Sequence, residues 1–118
     1  MTDPIVTIVV VPRERFSPAE ASLESIYAHT KFPFKLVYVD GNSPKKVNQY
    51  LQDKAQEKNF LIVRKEQYLY PNQARNVGFA HVDTPYLVFI DNDVLVTPGW
   101  LEALVNCAEE TGAAVVGP

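Results

Sequence analysis

Short, unbroken apolar runs alternate along this chain with proline-opened amphipathic stretches, and that alternation restricts its fold more than any other feature. Residues 5–11 read IVTIVVV, residues 35–40 KLVYVD, residues 60–63 FLIV and residues 86–90 YLVFI. The runs are rich in β-branched and aromatic residues and lack a polar–apolar alternation. That is the pattern of strands covered on both faces in a parallel sheet. Helix starts lie between them. Ser17 can cap a helix, with Pro18 at its first position and Glu20 completing a capping box. Leu23, Ile26 and Tyr27 then form a stripe at helical spacing. Ser43-Pro44 opens a second helix, with Val47, Tyr50, Leu51 and Ala55 on one face. Tyr70-Pro71 leads into a third over residues 72–81, and Thr97-Pro98 into a fourth carrying Trp100, Leu104, Cys107 and Ala108. Residues 113–116 read as a fifth strand. The order β-α-β-α-β-α-β-α-β predicts an α/β domain over residues 1–118, with a mostly parallel sheet, helices on both faces and right-handed crossovers.

Composition narrows what such a domain can do. The chain has 118 residues, with 11 Lys and Arg against 14 Asp and Glu, for a formal net charge of −3. This length suits one domain that buries roughly two-thirds of its unfolded surface. A mildly acidic balance argues against a nucleic-acid partner, whose phosphates call for clustered Lys and Arg. One cysteine, Cys107, excludes an internal disulfide framework. No apolar run approaches the roughly 20 residues that span a bilayer, and no cationic, apolar leader opens the chain. The expectation is a cytoplasmic domain, or one peripheral to a membrane within a longer protein. Because the sequence stops directly after a strand, it reads as a fragment of a larger fold. An exposed edge strand or apolar patch would then drive homo-oligomerisation.

Ligands of open α/β sheets bind beyond the carboxyl ends of the strands, near the switch in strand order. The polar residues at those exits are Arg13 and Glu14, the stretch from Asp40 to Ser43, and Asp91-Asn92-Asp93. In an extended backbone residues i and i+2 point the same way, so Asp91 and Asp93 would concentrate negative charge at the sheet edge. Repulsion makes that costly unless a cation or hydrogen-bond donors compensate. A hard divalent cation, Mn²⁺ or Mg²⁺, suits two carboxylates completed by water and a diphosphate. A solvated turn with Asp capping the next helix fits the same residues. Arg75, planar and permanently charged, suits an anionic ligand or a structural salt bridge.

Four stretches taken together resemble a known family: V-T-I-V-V-V-P ending at Pro12, L-V-Y-V-D-G-N-S through Asp40 and Gly41, N-Q-A-R-N-V-G through Arg75 and Asn76, and Y-L-V-F-I-D-N-D ending at Asp93. In this order, each at a strand end, they resemble the nucleotide-sugar half of a family 2 glycosyltransferase of the Rossmann-like GT-A fold. The resemblance covers nearly the whole chain. It implies that Asp40 hydrogen-bonds the base or ribose of a UDP- or GDP-type sugar, with Gly41 beside it. It implies that Arg75 and Asn76 support the nucleotide loop and the acidic motif. Asp93 would be the closest metal ligand, Asp91 would hold ribose or a metal-bound water, and Asn92 would lie against the substrate between them. Pro12, Arg13 and Glu14 would form the loop touching the nucleotide. Members usually carry Thr-Tyr-Asn or similar after that proline. Here Arg13-Glu14-Arg15 stands instead, and its arginines suit either a phosphate or a solvated loop. The acceptor half, for a saccharide or lipid hydroxyl, and the general base of an inverting transfer are expected beyond Pro118. This chain alone would then bind the donor rather than transfer its sugar.

Rival readings carry specific failures. A receiver or phosphotransfer domain needs an acid directly after the first strand, where Pro12-Arg13 stands. A dinucleotide-dependent dehydrogenase needs G-x-G-x-x-G in the first turn, and no glycine lies between Pro12 and Ser17. A non-catalytic nucleotide-binding or scaffold module of the same fold remains the alternative. Several residues take plainer roles. Cys107 reads as a small buried hydrophobe, Trp100 as helix packing before a sugar platform, and Tyr68 and Tyr70 as loop anchors. His29 and His81 read as helix-end residues that lack metal-ligand spacing between them.

Overall fold

The computed structural model describes residues 4–12, 16, 18–67 and 69–111. Four strands, β1 (Val6–Val11), β2 (Lys35–Gly41), β3 (Leu61–Lys65) and β4 (Tyr86–Asp91), alternate with four helices, α1 (Ala19–His29), α2 (Lys45–Lys58), α3 (Pro71–Phe79) and α4 (Trp100–Thr111). The strands form one parallel sheet in the order β3-β2-β1-β4. The order reverses between β1 and β4, which makes the crevice outside their carboxyl ends the expected ligand position.

Alternation along each strand divides the core into two layers. Val6, Ile8 and Val10 of β1, with Val88 and Ile90 of β4, pack against Leu23 and Ile26 of α1, Leu51 of α2, and Leu101 and Val105 of α4. On the other face Val9, Val11, Val37 and Val39 pack against Leu69 and against Ala74 of α3. Three helices therefore cover one face and α3 the other. Continuous apolar runs are needed because both faces are dry. At Gly78 the axis of α3 comes so close that a Cβ would overlap Cγ1 of Val9 and lie 3.2 Å from Cγ2 of Val39.

Element limits differ from expectation where a non-local contact decides them. β3 runs to Lys65 rather than stopping at Val63, because Arg64 pairs in register with Asp40. β2 extends to Gly41 and β4 to Asp91 for the same kind of reason. α1 begins at Ala19 with Pro18 as its cap residue, α2 begins at Lys45, and α4 starts only at Trp100. Cys107 is exposed, contrary to the buried position expected. Leu101, Val105 and Ala108 take the buried stripe of α4, and Cys107 falls one residue off that line. The capping role assigned to Ser17 and the strand expected at residues 113–116 lie outside the described residues.

Candidate functional site

The acidic stretch sits where β4 meets solvent. Asp91 is the last residue of β4, in register with Val11. The Asn92 N–H donates to the Val11 carbonyl at 3.0 Å, and the Val94 N–H donates to the Asp91 carbonyl at 3.2 Å. The strand thus ends in a tight turn, and the extended geometry expected for residues 91–93 stops at Asp91. Asp91 is half-buried, Asn92 is turned into the protein interior and Asp93 is exposed. The Asn92 amide is buried with neither its nitrogen nor its oxygen hydrogen-bonded.

Helix α1 holds the chain beyond the turn. Ser22 Oγ donates to the Val94 carbonyl at 2.6 Å, the Val96 N–H donates to Ser25 Oγ at 3.1 Å, and Trp100 Nε1 donates to Thr30 Oγ1 at 2.7 Å. These bonds assign Trp100 to helix packing.

The side-chain carboxylates of Asp91 and Asp93 have no hydrogen-bond or ion-pair partner among the described residues. Arg75 does not neutralise them. Its Nη1 donates to Asn72 Oδ1 at 3.4 Å, and its guanidinium carbon lies 6.0 Å from the centroid of the Phe89 ring. Phe89 and Asp91 alternate onto the same face of β4, so Arg75 stands on the side of the sheet to which Asp91 belongs. Asn76 is exposed on α3.

The donor chemistry fits a hard divalent cation. Two carboxylates without a counter-charge among the described residues offer oxygen ligands only, and Mg²⁺-type sites commonly use one or two carboxylates and leave the rest to water and phosphate. No group of three or more His, Cys, Asp or Glu residues able to cage a metal occurs among the described residues. A cation held by these two carboxylates would complete its coordination with water or a ligand.

On the other side of β1 lies Asp40, the last polar residue of β2. It is only 1% exposed. Its Oδ1 accepts the Ser43 N–H at 3.2 Å, and its Oδ2 accepts Ser43 Oγ at 2.7 Å and Arg64 Nη1 at 2.5 Å. Arg64 was not among the residues expected at the site. The only local hint is that a charge follows an apolar run directly, and its significance depends on the pairing of β3 with β2. Burial, and then the charge of Asp40, push the Tyr38 phenol far above its usual pKa, so it remains neutral. Pro12 is buried, and its Cγ would lie 3.4 Å from a Cβ on Gly41; Leu69 N would lie at 3.2 Å and Gln67 O at 3.5 Å. The exits of β1 and β2 and the segment after β3 therefore converge. Asp40 and Asp91 are at the same carboxyl edge with β1 between them, about 10 Å apart at two strand spacings. Arg13, Glu14 and Tyr68 lie outside the described residues.

A cavity of about 630 Å³ lies at the opposite, amino edge of the sheet, lined by residues that include Tyr27, Lys31, Phe34, Lys58 and Phe60. None of Pro12, Asp40, Gly41, Arg75, Asn76, Asp91, Asn92 and Asp93 lines it.

The model for the family described as "Glycosyl transferase family 2" matches residues 7–118. This chain belongs to glycosyl transferase family 2. Among solved structures, it is similar to a mannosyltransferase, PcManGT of Pyrobaculum calidifontis, in complex with GDP-Man and Mn²⁺. That likeness has a TM-score of 0.77 and 22% identity, and covers 91% of this chain and 33% of that one. It is also similar to residues 1–349 of S. aureus TarS in complex with UDP-GlcNAc, at TM-score 0.74 and 22% identity, covering 89% of this chain and 31% of that one. A curated relative, "Uncharacterized protein y4gI" of Sinorhizobium fredii (strain NBRC 101917 / NGR234), is 24% identical over an aligned length of 118, covering 97% of this chain and 13% of the relative. The family 2 chain thus spans about a third of each solved structure and a smaller part of the curated relative. The shared architecture is the GT-A nucleotide-sugar transferase fold.

Proposed function

We propose that residues 1–118 form the donor-binding part of a glycosyltransferase, which takes a UDP- or GDP-linked sugar together with Mn²⁺ or Mg²⁺. The observation that carries this reading is the pair Asp91 and Asp93, whose carboxylates have no counter-charge among the described residues, held at the exit of β4 beside the switch in strand order. The family, and the nucleotide-sugar complexes of the similar structures, support it.

Each residue then has a role. Asp91 and Asp93 hold the cation and with it the diphosphate. Pro12 and the turn from Asp40 to Ser43 form the wall against base and ribose. Arg75 stands on the Asp91 face, where a permanent charge suits the phosphate side of the ligand. A divalent cation supplies Lewis-acid stabilisation of the charge that develops on a leaving diphosphate. Transfer to a saccharide or lipid hydroxyl, with inversion, also requires a base to take the acceptor proton.

Calorimetric titration with UDP and with GDP, in the presence and absence of Mn²⁺, tests the proposal. One of the nucleotides is expected to bind at least tenfold more tightly with the metal. Asp93→Ala should abolish that difference while leaving the fold intact by circular dichroism. Equal metal dependence in both proteins would remove Asp93 from the metal site and overturn the reading.

A further inference from the structure

Asp40 is enclosed in a way the proposed nucleotide contact does not require. Its two oxygens already accept three hydrogen bonds, and its side chain is almost fully buried. A carboxylate has about four acceptor positions, so one is left, and that one is not open to solvent. What meets solvent is the turn that Asp40 anchors. Gly41 is buried, Asn42 is exposed at φ +65°, and Ser43 is buried. Asn adopts a positive φ more readily than other non-glycine residues, but residues 40–43 still need neighbours that fix them in one arrangement.

Arg64 supplies that fixing. From its register position opposite Asp40, its Nη1 donates to Asp40 Oδ2 and, at 3.1 Å, to Ser43 Oγ. Its Nη2 donates to the Ser43 carbonyl at 3.2 Å and reaches Asn42 Oδ1 at 3.5 Å, and its Nε lies 3.5 Å from Glu66 Oε1. One guanidinium therefore grips the anchor and both residues of the turn beyond Gly41. The planar fork of five donors makes this geometry available; an ammonium on a flexible stem does not reproduce it.

We infer that Arg64 is a positioning residue for nucleoside recognition: it sets the β2–α2 turn, residues 40–43, in the conformation that meets the base and ribose, without touching the diphosphate or the cation. This inference rests on the donor-binding reading above. It separates two halves of one ligand, because the nucleoside wall depends on Arg64 while the diphosphate end depends on Asp91 and Asp93 across β1.

The test uses that separation. Wild type, Arg64→Ala and Arg64→Lys are titrated with Mn²⁺-UDP, Mn²⁺-GDP and Mn²⁺ with inorganic pyrophosphate. For whichever nucleotide wild type binds, Arg64→Ala is expected to lose tenfold or more in affinity, with pyrophosphate affinity held within twofold. Arg64→Lys keeps the charge opposite Asp40 but not the fork, and should show an intermediate loss confined to the nucleotide. It decides the matter if Arg64→Ala fails to fold. Equal losses for nucleotide and pyrophosphate, or full nucleotide affinity in Arg64→Lys, would overturn the inference and leave the donor-binding reading standing. If wild type bound pyrophosphate and neither nucleotide, both would fall.

Discussion

Gly78 sets how closely a helix can lie on the sheet. Alanine at a helix interior is favoured over glycine by about 1 kcal/mol through backbone entropy and solvation. Here the added methyl would overlap Val9 Cγ1, on a β-branched side chain held in the middle of β1, and would press on Val39 at 3.2 Å. Overpacking a dry interface of this kind costs about 1–3 kcal/mol. With the added methyl overlapping Val9 the steric cost outweighs the propensity gain, so Gly78→Ala is expected to destabilise the chain by up to about 2 kcal/mol in urea denaturation. Val9→Ala in the same chain should recover part of the loss, because the two groups share one space. Additive losses would show that α3 moves away instead. Arg75 lies one turn before Gly78, so such a movement would also draw its guanidinium from the face of Phe89. The glycine is visible in the sequence, but its reason is the distance between α3 and β1, which no local pattern contains.

Between elements, the contact of α1 with α2 carries the pH dependence. Tyr50 Oη donates to Glu24 Oε1 at 2.7 Å, and Lys54 Nζ lies 2.9 Å from the same oxygen. The Lys54 bond, then the Tyr50 bond, hold the Glu24 carboxyl below its usual 4.5, and partial burial opposes them. A carboxyl lowered by folding contributes stability above its unfolded pKa and loses it as pH falls through the folded value. Lys54 is raised above 10.5, chiefly by Glu24, so its own contribution is lost only in strong alkali. Glu24 is 49% exposed, which limits the pair to below about 1 kcal/mol. Glu24→Gln should therefore be slightly less stable than wild type at pH 7, and the gap should close as pH falls through the lowered Glu24 pKa. A gap that persisted in acid would assign the effect to packing. Helical spacing placed Tyr50 and Leu51 on the inner face of α2, and apolar runs placed the strands, because both patterns are local. Arg64 was not legible, since its meaning requires β2 and β3 in register. The turn at Asn92 depends on the carbonyl of Val11, some eighty residues earlier. The stripe of α4 placed Cys107 inward because positions 107 and 108 are both one turn from Leu104, and only packing chooses Ala108.

Across the whole molecule, the parallel sheet separates two ends that sequence order interleaves. Carboxyl ends bring Pro12, Asp40, Arg64 and Asp91 to one edge, and amino ends bring Lys31, Lys58 and several aromatic rings around the cavity at the other. The six residues of β1 set the gap at about 20 Å. At that distance a unit charge in water is felt by about 0.2 kcal/mol, and at physiological salt the Debye length of about 8 Å removes most of that. Charge reversal at the amino edge should therefore leave ligand affinity at the carboxyl edge within twofold, although the cavity itself is large enough for a small ligand. The comparison is Lys31→Glu against Asp93→Ala, each titrated with the nucleotide and Mn²⁺ combination that wild type binds. The first should match wild type and the second should lose its metal dependence. A tenfold loss in Lys31→Glu cannot come from a field acting across the sheet. It would require the nucleotide to sit among the lysines and aromatic rings, and the acidic turn of β4 would then be a solvated turn at a strand end.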